Sequence, residues 1–320
     1  MHASSYSDIL ALENEYLRID LMPGQGAKIC SLTDLRTGRE WLLPSQLPGG
    51  GYLQATCGAE FSAFDTSGFD ECFPTVSEGP HPDAVFRWPD HGELWSRPWT
   101  VEPHAHGLLT RIEGQAWPYT FSRRAFLDGD CLCLDYTLEN HAEMAFRHLW
   151  SAHPLLNVTP GMKLLLPGSL SEAFVNGASD PGIGCFGESC PWPELIPGLD
   201  FSTVQPVECG KAIKLFFPHV PEGTCGILDP CTGEALTFAW DRSELPHLGL
   251  WLCYGGWPGG DRPGQLTVAL EPCSGMPDRL LDAAERGLCS VLEPGERKTW
   301  SLRIRSHTFW NPQDRSGESL

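Results

Sequence analysis

Basic residues are scarce in this sequence. Lysine and arginine number 22 against 41 aspartates and glutamates, which gives a formal net charge of −19. A nucleic-acid backbone would be repelled by such a chain, so the charge predicts that the protein does not bind nucleic acid. Neutral partners, either small molecules or uncharged polymers, are expected instead, and the excess of one sign also favours solubility.

Long apolar runs are missing as well. No stretch approaches the ~20 apolar residues that a membrane-spanning helix requires. The first twenty residues, MHASSYSDILALENEYLRID, contain neither the basic segment nor the apolar segment of a secretory signal. We therefore expect no membrane association and a cytoplasmic location.

Paired cysteine motifs are absent too, although the chain contains 13 cysteines. Disulfide frameworks belong mainly to small secreted chains, and structural zinc sites need closely paired ligands. The cysteines are therefore predicted to be reduced, mostly buried thiols, with no metal and no cofactor. A metal site built on His104 and His106, with His81 and His91 nearby, is the alternative.

Segments typical of long helices are also lacking, because 34 glycines and 28 prolines separate short apolar runs. Residues 119–127 and 131–138 flank Asp128-Gly129, a strong hairpin signal, and only residues 277–286 suggest a helix. No linker divides the chain, which predicts one all-β domain over residues 1–310 and a loose C-terminal tail at 311–320. Further strands are predicted at 15–22, 28–43 (a hairpin turning at 36–38), 212–217, 226–228, 235–240, 249–254, 265–271 and 299–306.

One of these strands carries a candidate catalytic carboxylate. In LTVALEP, residues 266–272, the apolar residues Leu, Val and Leu alternate with Thr, Ala and Glu271. Glu271 therefore points away from the apolar face. Pro272 is expected to break the strand pairing just beyond it. This pattern predicts a rigid carboxylate at a strand end that faces either a cavity or solvent.

A candidate proton donor lies in AFRHLWSAHP, residues 145–154. Alternation places His153 and His148 on opposite strand faces. Pro154 restricts His153 to an extended conformation and is expected to end the regular ladder nearby. A histidine has an unperturbed pKa of about 6.5, which suits proton transfer near neutral pH. The alternative is a core histidine bonded to the backbone.

A third histidine, His91, lies in WPDHGELWSRPW, residues 88–99, among three tryptophans. Tryptophan faces suit the C–H edges of a sugar. The three stretches together resemble, in the same order, the aldose 1-epimerase (galactose mutarotase-like) family. HGELWSRPW is similar to the family's His-Gly segment, and WSAHPLL to the strand that bears its second histidine. LEPCSGMPDRLLDA and the later LEPGERKTWSLRI are similar to its C-terminal glutamate segment and closing strand.

The resemblance implies a β-supersandwich of large twisted antiparallel sheets, with very little helix and a sugar cleft on a concave face. It implies that Glu271 is the general base that takes the proton of the anomeric hydroxyl. His153 would be the general acid that protonates the ring oxygen, and His91 would hydrogen-bond near that oxygen. Such a protein interconverts the α and β anomers of an aldose at C1, and acid–base chemistry alone suffices.

The sequence departs from the family in its substrate contacts. Many sugar mutarotases carry an arginine in the segment corresponding to SGFDECFPTV, residues 67–76, which contains no basic residue here. Asp70 or Glu71 could accept sugar hydroxyls instead. Asp241 is our choice for the family's substrate-binding aspartate. One or two tryptophans are expected in the cleft, and the candidates are Trp95 and Trp251.

Two other functions remain open at this stage. The chain could be a non-catalytic carbohydrate-binding protein, because one fold supports different functions. It could also be a glycoside hydrolase that uses Glu271 with Asp241 or Glu71 as its carboxylate pair. The sequence leaves open which sugar is bound and whether the protein is a monomer or a homodimer.

Overall fold

Almost all regular structure in the computed structural model, which describes residues 9–47, 49–64, 66–258 and 264–310, is β-strand. The expected loose tail at 311–320 lies outside the described residues. No helix in the described ranges is long and apolar enough to cross a membrane. All thirteen cysteines are free thiols, and eight of them are buried.

The bounds of the elements are as follows. The first eleven strands are β1 (Leu10–Glu13), β2 (Leu17–Met22), β3 (Lys28–Asp34), β4 (Arg39–Glu40), β5 (Phe69–Cys72), β6 (Gly79–Pro80), β7 (Arg87–Trp88), β8 (Thr100–His104), β9 (Gly107–Glu113), β10 (Tyr119–Asp128) and β11 (Cys131–Asn140). The others are β12 (Phe146–His148), β13 (Ser151–Asn157), β14 (Lys163–Leu165), β15 (Glu172–Ala178), β16 (Ser189–Pro191), β17 (Lys211–Phe217), β18 (Thr224–Leu228), β19 (Ala235–Trp240), β20 (His247–Tyr254), β21 (Leu266–Cys273), β22 (Ser290–Leu292) and β23 (Arg297–His307). The described helices are α1 (Leu280–Glu285) and two 3-10 turns, Phe61–Ala63 and Val207–Cys209.

Two large antiparallel sheets contain most of these strands. The first has eleven strands in the order β1-β2-β3-β5-β13-β21-β20-β17-β15-β16, with β4 paired to β3. The second has eight strands in the order β14-β18-β19-β23-β11-β10-β9-β8. The pairs β6–β7 and β12–β22 form small ribbons. This architecture confirms the predicted all-β fold of large antiparallel sheets.

The hairpins and the helix follow local sequence signals. β10 and β11 pair from Asp128 and Cys131 outward, and Gly129 takes the positive φ of 56° that the tight turn needs. The helix was predicted over 277–286 but begins only at Leu280. The preceding residues are held extended, because the carbonyl of Asp278 accepts hydrogen bonds from the loop at residues 76–77.

One face of the first sheet packs against the second sheet to form the main core. Val268 and Leu270 of β21 share this core with Leu134 and Tyr136 of β11. Burying one such leucine side chain stabilises the fold by about 1.5–3 kcal/mol. The opposite face of β21, which carries Glu271, is therefore turned away from the second sheet, as the alternation indicates.

Two prolines lie inside strands that they were expected to end. β13 runs through Pro154, and β21 runs through Pro272. Pro154 is paired with β5 and Pro272 with β20. Each proline is thus paired on the side of its strand that faces away from the other proline's strand. Between β13 and β21 the ladder is interrupted from residue 152 to 154 and from 270 to 272. A proline lacks the N–H that a ladder needs, so both are accommodated at this one gap.

Candidate functional site

His153 and Glu271 face each other across the gap between β13 and β21. The flanking pairs, Ser151 with Cys273 and Leu155 with Ala269, set a register that brings positions 153 and 271 opposite each other. The Nε2 atom of His153 is 4.0 Å from the Oε1 atom of Glu271. Because both residues lie on central strands of an eleven-stranded sheet, their separation is fixed by the sheet.

A cavity of about 290 Å³ lies over this pair. Pockets for small molecules usually measure about 300–1,000 Å³, so this one is of a size for a ligand at the small end of that range. Its lining includes the polar residues Asp90, His91, His153, Lys214, Gln265, Glu271 and Asp278 and the aromatic residues Phe61, Trp251 and Trp257.

The two carboxylate oxygens of Glu271 have different surroundings. Oε2 accepts a hydrogen bond from the ammonium of Lys214 and a longer one, of 3.4 Å, from the hydroxyl of Ser151. Oε1 accepts no hydrogen bond from the described residues. Burial raises the pKa of Glu271, and the positive charge of Lys214 opposes that rise. Glu271 is thus a buried carboxylate with one oxygen hydrogen-bonded and the other without a hydrogen bond from the described residues.

His153 is deprotonated more easily than an ordinary histidine. Burial lowers its pKa well below the usual value, and the nearby positive charge of Lys214 adds to the effect. Its Nδ1 atom has no hydrogen-bond partner among the described residues. Burial therefore disfavours the protonated ring, from which the acid role implied by the resemblance starts.

His91 is held in place by a tight turn. Its φ is 57°, and Gly92 follows with a φ of 73°. A Cβ at Gly92 would lie 1.9 Å from the carbonyl oxygen of Phe73, so only glycine fits this His-Gly turn. The dipeptide noted in the sequence is therefore required by the backbone path that brings His91 to the cavity.

The side chain of His91 is fixed by its neighbours. Its Nδ1 lies 2.9 Å from the carboxylate of Asp90, which can only accept, so Nδ1 donates and Nε2 of the neutral ring is an acceptor. The ring stacks on Phe61 at 4.0 Å and meets the ring of His153 edge-on at 5.3 Å. Burial raises the pKa of Asp90, but the hydrogen bond and charge interaction with His91 and the backbone N–H of Phe61 together outweigh burial, so the net pKa is lowered.

The two tryptophans predicted for the cleft differ in position. Trp251 lines the cavity and meets Trp257 edge-on at 6.1 Å between ring centres. Trp95 does not line it. It is buried behind Phe61, and its indole N–H donates to the carbonyl of Asp90 at 3.0 Å. Trp95 thus supports the cavity wall, and its predicted direct contact with substrate is corrected.

Three predicted carboxylates also lie outside the cavity lining. Asp70 is buried beside Lys28, whose ammonium is 2.9 Å away. Glu71 follows it in β5, so it points to the opposite face, where it binds Arg123 at 2.7 Å in the core. Asp241 is exposed in the turn after β19 and accepts backbone hydrogen bonds there. Their predicted sugar contacts are corrected, because each carboxylate is occupied by protein or faces solvent elsewhere.

Several lining residues were missed by sequence reasoning. Lys214 interrupts the apolar run AIKLFF, and a charge inside a buried strand was the signal for it. Asp278 was interpreted only as part of a helix start. Phe61 and Gln265 gave no signal. Among the described residues, no group of three or more His, Cys, Asp or Glu side chains is placed to hold a metal ion, including around His104.

Comparisons with known proteins were informative only at the level of structure. No family model and no curated protein matches the chain. The Slr1438 protein from Synechocystis sp. PCC 6803 is similar with a TM-score of 0.71 at 16% identity, over 96% of this chain and 98% of that one. A galactose mutarotase-like protein from Lactobacillus casei ATCC 334 has a TM-score of 0.67 at 16% identity, over 94% and 100%.

A galactose mutarotase related enzyme from Lactobacillus acidophilus has a TM-score of 0.68 at 13% identity. That match covers 94% of this chain and 97% of the other. Identities this low carry information about fold and not about activity. The structural matches and the two-sheet architecture agree with the motif-based resemblance: this chain has the galactose mutarotase-like fold.

Proposed function

We propose that the protein is a carbohydrate epimerase that interconverts the α and β anomers of a neutral aldose at C1. The observation that carries this proposal is the pairing of His153 and Glu271 at 4.0 Å, beneath a cavity of monosaccharide size. Each of the two groups has an atom without a hydrogen bond from the described residues, Nδ1 of His153 and Oε1 of Glu271. Both side chains line the cavity, so a substrate bound there would lie next to both.

The cavity lining favours a neutral sugar. Buried oxygens of Glu271, Asp278 and Gln265 accept no hydrogen bond from the described residues. An unsatisfied buried acceptor costs about 1–3 kcal/mol, so hydroxyl hydrogens of a sugar would be bound favourably. Among the described lining residues, carboxylates outnumber the one lysine, which disfavours sugar phosphates and uronic acids.

The chemistry requires one proton to leave O1 and one to reach the ring oxygen O5. Glu271 takes the O1 proton while His153 delivers a proton to O5, so that the C1–O5 bond breaks as C1=O1 forms. After rotation about C1–C2, the same groups act with reversed roles and close the ring on the other face. A raised pKa makes the Glu271 carboxylate a stronger base, and a lowered pKa makes the His153 imidazolium a stronger acid. Each group is typically worth about 10²–10⁴-fold in rate.

The pair must hold a single proton in order to work. With two protons bound, neither group can act as the base, and with no proton bound, neither can act as the acid. Because the groups are coupled, the pH–rate profile reports the titration of the pair as a whole. The proposal therefore predicts a bell-shaped profile, and residual activity should keep only one limb when either residue is replaced by a group that cannot titrate.

The test is saturation-transfer NMR on a panel of aldoses, which measures anomer exchange directly and ranks the substrates. Glu271→Gln should keep the melting temperature and sugar binding while exchange falls by about 10²-fold or more. Wild-type exchange in this variant would overturn the assignment of the base.

The other functions give different results with the same protein. A non-catalytic binding protein would bind a sugar in calorimetry without accelerating exchange. A hydrolase would release reducing sugar from an oligosaccharide, and His153→Gln would leave that release unchanged. Either outcome would refute the epimerase proposal.

A further inference from the structure

We propose that Lys214 positions the base: it holds Glu271 in the charged form and directs one carboxylate oxygen at the cavity, within a buried Asp278–Lys214–Glu271 array. The activity readout of this inference rests on the proposed function, whereas its carboxylate readout does not. Lys214 is 7% exposed and Glu271 is fully buried. The charges in this array therefore interact with little screening by water.

A glycine in the intervening strand lets the side chain of Lys214 reach Glu271. Lys214 lies on β17 and Glu271 on β21, with β20 between them. Gly249 of β20 is opposite both Glu271 and Phe216. A Cβ at Gly249 would lie 3.0 Å from Oε2 of Glu271 and 3.1 Å from the Phe216 ring. The missing side chain leaves the space through which the lysine contacts the carboxylate.

The charges explain why this contact matters. A carboxylate buried alone takes up a proton, because burial disfavours the ionised form. Lys214 opposes that effect on Glu271. On its other side Lys214 lies 3.6 Å from Asp278, which is fixed by the side-chain amide of Asn176 at 2.8 Å. Burial lowers the pKa of Lys214, but Asp278 and Glu271 outweigh burial, so the net pKa is raised.

Lys214 is thus the permanent positive charge next to the base, whereas burial disfavours the charged form of His153. Its contact is confined to Oε2 of Glu271, and Oε1 remains available on the side of His153. The carboxylate is therefore both ionised and oriented before a substrate arrives. The titratable groups that face Glu271 from the surrounding elements are Lys214 on β17, His153 on β13, Cys72 on β5, Cys273 on β21, Asp278 before α1 and His91 in the loop after β7.

The experiment compares Lys214→Met, which removes the charge, with Lys214→Arg, which keeps it. The first readout is the ¹³C shift of the Glu271 side-chain carboxyl against pH, assigned by its loss in Glu271→Gln. We expect Lys214→Met to move the midpoint of this titration upward by about 1–3 pH units, the usual effect of an opposite charge at this range. Lys214→Arg should stay close to wild type.

The second readout is the pH profile of anomer exchange. Its acid limb should move upward with the carboxyl titration in Lys214→Met and be restored in Lys214→Arg. If the methionine variant fails to fold, Lys214→Gln provides the same test, since it keeps a hydrogen-bond donor without the charge. An unmoved carboxyl titration in a folded, uncharged variant would overturn the inference. A shifted titration in a protein that exchanges no aldose would refute the proposed function alone.

Discussion

Replacing Arg123 by methionine would leave a charged group stranded in the core. Glu71 is fully buried between the sheets, and Arg123 donates to its Oε1 at 2.7 Å. Tyr136 and Trp150 donate to the same carboxylate at 3.0 and 2.9 Å, but they supply no charge. Removing one partner of a buried ion pair costs about 3–5 kcal/mol, so we expect Arg123→Met to lower the free energy of unfolding by that amount at pH 8.

The loss should depend on pH in a defined direction. Burial raises the pKa of Glu71 above its unfolded value, so the stability that it contributes is largest below about pH 4.3 and declines as pH rises through the folded pKa. Without Arg123 the folded pKa rises further, and the decline extends to higher pH. The variant should therefore be closer to wild type at pH 5 than at pH 8.

Urea unfolding at the two pH values measures both effects, and the same strand offers a matched control. Arg124 binds Asp135 at 3.0 Å on the surface, so Arg124→Met should cost less than about 1 kcal/mol. Combining Arg123→Met with Glu71→Gln should recover most of the loss, because the stranded charge is then absent. A cost for Arg123→Met no larger than for Arg124→Met, or independent of pH, would refute the reasoning.

Three further outcomes are expected. Gly249→Ala should reduce anomer exchange by about tenfold or more, because the added Cβ would lie only 3.0 Å from the Glu271 carboxylate. The control is Gly177→Ala on β15, where the added Cβ would have open space around it. Asp241→Asn should leave anomer exchange and sugar binding at wild-type levels. A loss of either would support the original assignment of Asp241 as a substrate-binding residue. With Ellman's reagent the folded protein should show three fast thiols, and labelling of buried cysteines before unfolding would contradict the packing. The fast thiols are expected at Cys57, Cys185 and Cys231.

The strands were predictable wherever the signal is local. The period-two alternation around Glu271 and the Asp128-Gly129 turn specify their elements within a few residues of sequence, and both are confirmed. The prediction that Pro154 and Pro272 end their strands was wrong, because a proline shows only that one backbone N–H is missing. Whether that ends a strand depends on a neighbour more than a hundred residues away, and here both prolines share one gap.

The site was predictable only in part for the same reason. His91, His153 and Glu271 were found because their local motifs resemble a family, and the structure brings all three to one cavity. Glu71 was misassigned because its partner, Arg123, lies on the other sheet and is invisible to local patterns. Lys214 was missed because its contact with Glu271 depends on a glycine in the strand that lies between their two strands.

The gap between β13 and β21 also bears on how the site is assembled during folding. Ser151 and Glu271 are 120 residues apart in sequence yet share a contact at the centre of the larger sheet. Closing so long a loop is slow. Proteins dominated by such long-range pairings therefore fold slowly and pass through partly folded species. Recovery of anomer exchange after dilution from denaturant should therefore lag behind the return of strand signal in circular dichroism, since His153 and Glu271 come together only when two strands far apart in sequence pair.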